Sequence, residues 1–70
     1  MTVVVNGRER AVASGSCISD LIAALELKAE RLAVELNQKI IRRADWDSTS
    51  LSEGDRVEVV HFVGGGAAYR

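Results

Sequence analysis

One apolar helical face, set between segments with the two-residue period of strands, most strongly constrains the fold of this 70-residue chain. The apolar positions i, i+3, i+4 and i+7 of this segment are Ile18, Leu21, Ile22 and Leu25. That spacing predicts an amphipathic α-helix. Asp20 near its start favours the positive end of the helix dipole, and either Ser16 or Cys17 is the expected N-cap. Further along, Trp46 is expected to cover one end of the core, and Leu51 to return to it.

Two short strands joined by a tight turn are predicted before the helix. Residues 1–5 are apolar and largely β-branched, and Asn6-Gly7 follows them. An Asn-Gly pair is a strong hairpin signal because both central positions of a type I′ turn need a positive φ. Residues 9–13 are therefore expected to form the return strand.

The two-residue period returns after the helix and indicates three further strands. Residues 32–36 alternate, a turn is expected at 37–39, and a short strand follows at 40–42. Residues 44–50 are polar and irregular, and a turn at 53–55 precedes the last strand. This order predicts an α+β domain with one helix packed across a mixed sheet. The first and last strands are expected at the centre, with the two hairpins outside them.

The last strand is predicted to begin at Arg56, and its apolar run leads into three glycines at 64–66 and four further residues at 67–70. Glycine has no side chain to pack and loses the most backbone entropy on ordering, so three in a row do not prolong a sheet well. They predict a thin thread that fits where a β-carbon would clash, as in another protein's active site. We therefore expect a folded domain at 1–63 and a flexible tail at 64–70.

Composition excludes several classes of function. Nine basic and ten acidic residues leave a net charge of −1, which is not the basic footprint of a nucleic-acid-binding protein. No span approaches the roughly 18 apolar residues of a membrane helix, and residues 1–5 lack the basic start of a signal peptide. The single Cys17 cannot form an internal disulfide, so cytoplasmic residence is expected. His61 is the only histidine, which excludes a His-based catalytic set or metal cluster within the chain.

Five stretches of the chain carry a family resemblance, at residues 4–7, 18–25, 33–37, 54–60 and 62–66. In this order they resemble the ThiS-type sulfur carriers of thiamin biosynthesis, small members of the ubiquitin-like β-grasp superfamily. The resemblance covers essentially the whole chain except its last four residues. It implies a mixed sheet of four to five strands, one main helix across one face, and a flexible C-terminal tail. A monomer is expected.

The resemblance implies a carrier and co-substrate, not an enzyme. In this family a ThiF-like enzyme uses ATP and magnesium to adenylate the terminal glycine carboxylate, so the carrier itself binds no cofactor. A persulfide-type sulfur donor then yields a thiocarboxylate, and a ThiG-like thiazole synthase consumes that sulfur. By this likeness Gly66 would bear the thiocarboxylate, and Gly64 and Gly65 would thread the tail into the partner's site. A β-branched residue at Gly65 should block that entry.

Two residues directly before the glycines are candidates for partner binding. Phe62 and Val63 could anchor a groove of the partner, since interface hot spots favour such side chains. The equal alternative is that Phe62 packs on the sheet edge. His61 is expected to face a strand neighbour or solvent.

The chain departs from the family pattern because it continues past Gly66. Residues 67–70 place the Gly66 carboxyl in a peptide bond, so we expect a protease to remove them; a divergent, inactive carrier and an artefact of the sequence are the alternatives. A MoaD-like carrier or a ubiquitin-like tag would use the same chemistry with another acceptor. A non-covalent module resembling TGS-like domains would need no reactive terminus. A stand-alone enzyme is disfavoured because no nucleophile–base or metal constellation is present.

Overall fold

The computed structural model describes residues 1–61, which form a five-stranded mixed sheet with one α-helix. The strands are β1 Thr2–Val5, β2 Arg8–Ala11, β3 Leu32–Leu36, β4 Lys39–Ile41 and β5 Arg56–His61. The helix α1 spans Ile18–Ala24, and two 3₁₀ helices span Ala29–Arg31 and Arg43–Ser48. The strand order β2-β1-β5-β3-β4 places the first and last strands side by side at the centre, which confirms the predicted α+β fold.

The two central strands overlap only in part. β1 pairs in parallel with β5 through Val4 opposite Arg56 and Val5 opposite Val57. β3 pairs antiparallel with β5 from Val57 to His61. The second half of β5 therefore continues past the end of β1 and lies beside the turn of the first hairpin.

Two-residue turns close both hairpins. Asn6 and Gly7 have φ values of 50° and 83°, as the type I′ prediction requires. Because this turn is so short, Arg8 already lies opposite Val5, and the return strand is β2 Arg8–Ala11 rather than 9–13. The second turn likewise needs only two residues. Lys39 is therefore the first residue of β4, whereas the sequence analysis had placed it in a turn at 37–39.

The apolar faces of the sheet and the helix meet in one core. Its buried residues are Val3, Val5, Ile18, Leu21, Ile22, Leu32, Val34, Trp46, Leu51 and Val57. Each such valine, leucine or isoleucine gains about 1.5–3 kcal/mol from burial. Three of the four predicted helix positions are buried, whereas Leu25 is half-buried because it is the C-cap beyond the last turn. Trp46 and Leu51 lie in the core as predicted, and the indole N–H of Trp46 donates to the carbonyl of Ile41 at 3.0 Å.

Cys17 is the N-cap of the helix, which resolves the choice between two N-cap candidates. Cys17 has extended backbone angles and forms an antiparallel bridge with Ser50. Its backbone N–H donates to the carboxylate of Asp20 at 2.9 Å. That bond, and secondarily the Cys17 thiol, lowers the pKa of Asp20 below its ordinary value of 3.8. Within residues 1–61, no helix combines the length and apolar character that crossing a membrane needs.

Candidate functional site

The predicted reactive segment follows directly from the central strand. β5 ends at His61, which is exposed and lies opposite Leu32 of β3. The predicted site residues lie outside the described residues: Phe62, Val63, Gly64, Gly65 and Gly66. Residues 67–70 lie outside them as well. Their assignments stay predictions, and the geometry that bears on them is that of the strand that leads to them.

Asn6 holds the second half of β5. Its backbone N–H donates to the carbonyl of Val57 at 2.9 Å. Its side chain then accepts a hydrogen bond from the N–H of Val59 at 2.7 Å and donates to the Val59 carbonyl at 3.1 Å. The amide group thus takes the place of one further residue of β1, so the pairing along this side of β5 continues after β1 has turned away.

Asn37 holds the beginning of β5 in a similar way. This residue occupies the first position of the second hairpin turn, with a φ of 50°, like Asn6 in the first. It exchanges two hydrogen bonds with the backbone of Arg56, at 2.8 and 2.9 Å. Its side-chain amide also donates to the carboxylate of Asp55 at 3.1 Å. Both hairpins therefore hydrogen-bond to the backbone of β5 through an asparagine in their turns. The sequence analysis missed this role because it treated Asn6 and Asn37 only as turn residues.

The sheet face opposite the helix carries exposed apolar side chains close to the end of β5. Val60 is 53% exposed and Ile40 is 75% exposed, the two large apolar residues that stand out in this respect among residues 1–61. Val60 lies opposite Ala33 of β3. We name Val60, Ala33 and Ile40 the outer patch.

Two carboxylates lie on the same face as the outer patch. Glu35 lies opposite both Glu58 of β5 and Ile40 of β4, and residues directly opposite share a face. Two like charges opposite each other are unfavourable within the sheet. This surface therefore combines apolar and acidic groups, and Arg56, two residues before Glu58 on β5, adds a basic group to the same face.

The described residues hold no metal centre. Among residues 1–61, no group of three or more His, Cys, Asp or Glu side chains is arranged to hold a metal ion. What the geometry provides is a folded body whose central strand ends at His61, with the exposed side chain of Val60 two residues before Phe62 in the sequence.

The fold and this arrangement define a small domain of the ubiquitin-like β-grasp class. The chain belongs to the ThiS family, whose sequence model matches residues 3–66. The predicted family is thereby confirmed, and the match runs through the last of the three glycines.

Relatives of known name agree with this assignment. A crystal structure of a thiamine biosynthesis protein (ThiS) from Geobacter metallireducens superposes with a TM-score of 0.83 at 38% identity, covering 94% of this chain and 100% of that one. The sulfur carrier protein ThiS of Bacillus subtilis is 41% identical over 49 residues, 70% of this chain and 74% of that protein. A thiazole synthase of Magnetococcus marinus is 35% identical over 66 residues, 94% of this chain. The chain spans only 20% of the length of that thiazole synthase.

Proposed function

We propose that this protein is a sulfur carrier of thiamin biosynthesis whose reactive group is the carboxyl of Gly66. The observation that carries the proposal is the family match, which extends from residue 3 through Gly66. The named sulfur carrier of Bacillus subtilis supports it. In this function the domain is a co-substrate, and catalysis belongs to the enzymes that bind it.

The chemistry requires activation because a carboxylate is anionic and a poor electrophile. A ThiF-like enzyme would let the Gly66 carboxylate attack the α-phosphorus of ATP, with magnesium neutralising the phosphates and pyrophosphate leaving. A persulfide on a donor protein would then attack the acyl-adenylate and displace AMP. A thiol would reduce the resulting acyl disulfide, which releases the thiocarboxylate and leaves the donor in a mixed disulfide.

The folded body would supply the binding energy that places this small terminus in the enzyme. Contacts remote from the reacting group serve this purpose generally, since they fix the position of the reacting atoms. We assign this contact to the outer patch, with the charged groups beside it, Glu35, Glu58 and Arg56, meeting groups of opposite charge on the partner. Phe62 and Val63 would extend the same contact toward the glycines.

A thiazole synthase would be the acceptor of the sulfur. The Magnetococcus marinus thiazole synthase contains a segment similar to this chain, which supports an association between the carrier and that activity. A MoaD-like carrier would share every step up to the thiocarboxylate and differ only in this last partner.

Residues 67–70 must be removed before Gly66 can react, because its carboxyl otherwise lies in a peptide bond. The test compares the full chain with a chain that ends at Gly66, each incubated with a ThiF-like enzyme, ATP and magnesium. ATP–pyrophosphate exchange is expected only with the chain that ends at Gly66. Added persulfide donor and thiol should then give the mass change of one oxygen replaced by one sulfur.

A Gly65→Val variant of the same shortened chain is the matched control. It is expected to abolish exchange, because a β-branched side chain does not fit where the backbone must approach closely. Exchange on the full chain, with modification at Arg70, would disprove the trimming step. If neither the full chain nor the chain that ends at Gly66 supports exchange, the carrier function is disproved.

A further inference from the structure

The strand β2 leaves one edge of the sheet open. It is the outermost strand beside β1, and all four of its residues are exposed. Met1 and Val12 exchange two hydrogen bonds at 2.8 Å just beyond the end of the pair. Because bonded positions alternate along an antiparallel ladder, the N–H and C=O groups of Glu9 and Ala11 are directed away from β1. This edge can therefore accept a further strand.

Two arginines lie on one side of this edge. Arg8 and Arg10 lie opposite Val5 and Val3, which are buried against the helix, so the arginines are on the helix side of the sheet. An open depression of about 480 Å³ lies between β2 and the end of the helix. Its lining residues are Val5, Asn6, Arg8, Glu9, Arg10 and Leu25.

The positive charge of these arginines is unmatched within the described part of the chain. The ion pair found among residues 1–61 joins Arg42 and Asp45, so no described carboxylate lies within 4.0 Å of either guanidinium on β2. Glu9 lies between the two arginines in sequence, but strand alternation places its side chain on the other face. An occupant of this edge would therefore meet two arginine side chains, two positions apart, on the helix side.

A second copy of this chain fits the edge poorly. Two β2 strands in one continuous antiparallel sheet pair only residues of the same face. The two longest registers place either Glu9 opposite Glu9 or Arg10 opposite Arg10. Like charges directly opposite destabilise a strand pair, so the charge pattern disfavours self-association and favours a segment with carboxylates.

We propose that the open edge of β2 binds an extended acidic segment of another protein. The segment adds as a strand whose backbone bonds to Glu9 and Ala11, a recognised mode of peptide binding. Its carboxylates at positions i and i+2 accept hydrogen bonds from Arg8 and Arg10. The edge lies across the sheet from β4, so it stays accessible when Ile40 is covered, and the proposal does not depend on sulfur chemistry.

The test uses the full chain and a fluorescein-labelled peptide, Glu-Thr-Glu-Thr-Glu-Thr, followed by fluorescence anisotropy. Saturable binding that weakens as sodium chloride is added is expected, together with NMR amide shifts centred on Glu9 and Ala11. The Arg8→Gln/Arg10→Gln double variant should weaken binding about tenfold or more, because charge-assisted hydrogen bonds are the strong class. The matched control is Arg31→Gln/Arg43→Gln, which removes two exposed arginines elsewhere and should change affinity less than about twofold.

Two further peptides separate strand addition from simple charge attraction. Lys-Thr-Lys-Thr-Lys-Thr should not bind, and Glu-Thr-Glu-Pro-Glu-Thr should bind much more weakly, since proline cannot donate to the ladder. Equal binding of the proline peptide, equal weakening in the control double variant, amide shifts confined to other strands, or no saturable binding by the unmodified chain would each overturn the proposal.

Discussion

Replacing Asn6 with glycine should weaken the pairing of the second half of β5, the half that precedes the glycines at 64–66 in the sequence. Glycine keeps the positive φ of 50° without strain but removes the two side-chain hydrogen bonds to Val59. Two such bonds contribute about 1–3 kcal/mol net. Part of this loss is offset because glycine relieves the mild strain of a side chain at positive φ. We expect a net destabilisation of up to about 2 kcal/mol, where each kcal/mol shifts Tm by about 4–8 °C in a domain of this size.

The glycine effect can be measured separately at Gln38. This residue also has a positive φ, 72°, and its side chain makes no hydrogen bond to another group of residues 1–61. Gln38→Gly is expected to leave stability unchanged or to raise it. Because glutamine tolerates a positive φ less well than asparagine does, the difference between the two variants gives an upper bound on the Asn6 side-chain bonds, which contribute about 1–3 kcal/mol.

Urea unfolding followed by the fluorescence of Trp46 gives these free energies. Trp46 is the only tryptophan and is 4% exposed, so its emission reports loss of the core. Hydrogen exchange supplies the local readout, since the Val59 amide should exchange faster in Asn6→Gly because its acceptor is gone. If Asn6→Gly changes stability no more than Gln38→Gly does, and the Val59 amide exchanges as fast as in the unmodified protein, then the proposed role of the Asn6 side chain in holding β5 is wrong.

Two further changes test the helix start and the outer patch. Asp20→Asn removes the carboxylate that accepts a hydrogen bond from the Cys17 N–H. Because the pKa of Asp20 is lower in the folded state, the unfolding free energy of the native protein should exceed that of the variant by its full amount above pH 3.8. This difference, measured by urea unfolding, should disappear as the pH falls through the lowered pKa of the folded state. A difference that stays constant into acid would contradict this. Val60→Asp should lower Tm by a few degrees, because Val60 is only 53% exposed and aspartate is a poor strand former, yet the folded variant should raise the KM for the adenylating enzyme about tenfold or more. Ala44→Asp, an exposed control outside the patch, should leave KM unchanged, and an equal effect of both would argue against patch docking.

Local patterns predicted the parts of the fold that depend on neighbours in sequence. The spacing of Ile18, Leu21 and Ile22 identified the buried helix face, because helical periodicity depends only on positions a few residues apart. Asn6-Gly7 identified its turn for the same reason, since the required φ values belong to the pair itself. The bounds of β2 and β4 were less accurate, because the ends of a strand depend on how the partner strand is paired.

The hydrogen bonds between the Asn6 side chain and β5 were not predictable from local patterns. Asn6 and Val59 are 53 positions apart, and their hydrogen bonds exist only because β1 and β5 pair in one particular register. Exposure of Val60 and Ile40 likewise depends on which sheet face the helix covers. Residues 62–66 lie outside the described part of the chain, so the roles assigned to them stay predictions.

The central position of β5 also determines when the domain can form. Val57 has no exposed surface and belongs to the strand at the end of the described chain, while its parallel neighbour β1 is made first. Contacts that join distant positions form late because the intervening chain must first be closed into a loop. While a nascent chain still lacks residues 56–61, β1 with its buried Val3 and Val5 has no β5 to pair with in the sheet. Any partner that recognises the completed sheet would therefore bind the chain only after residues 56–61 have joined that sheet.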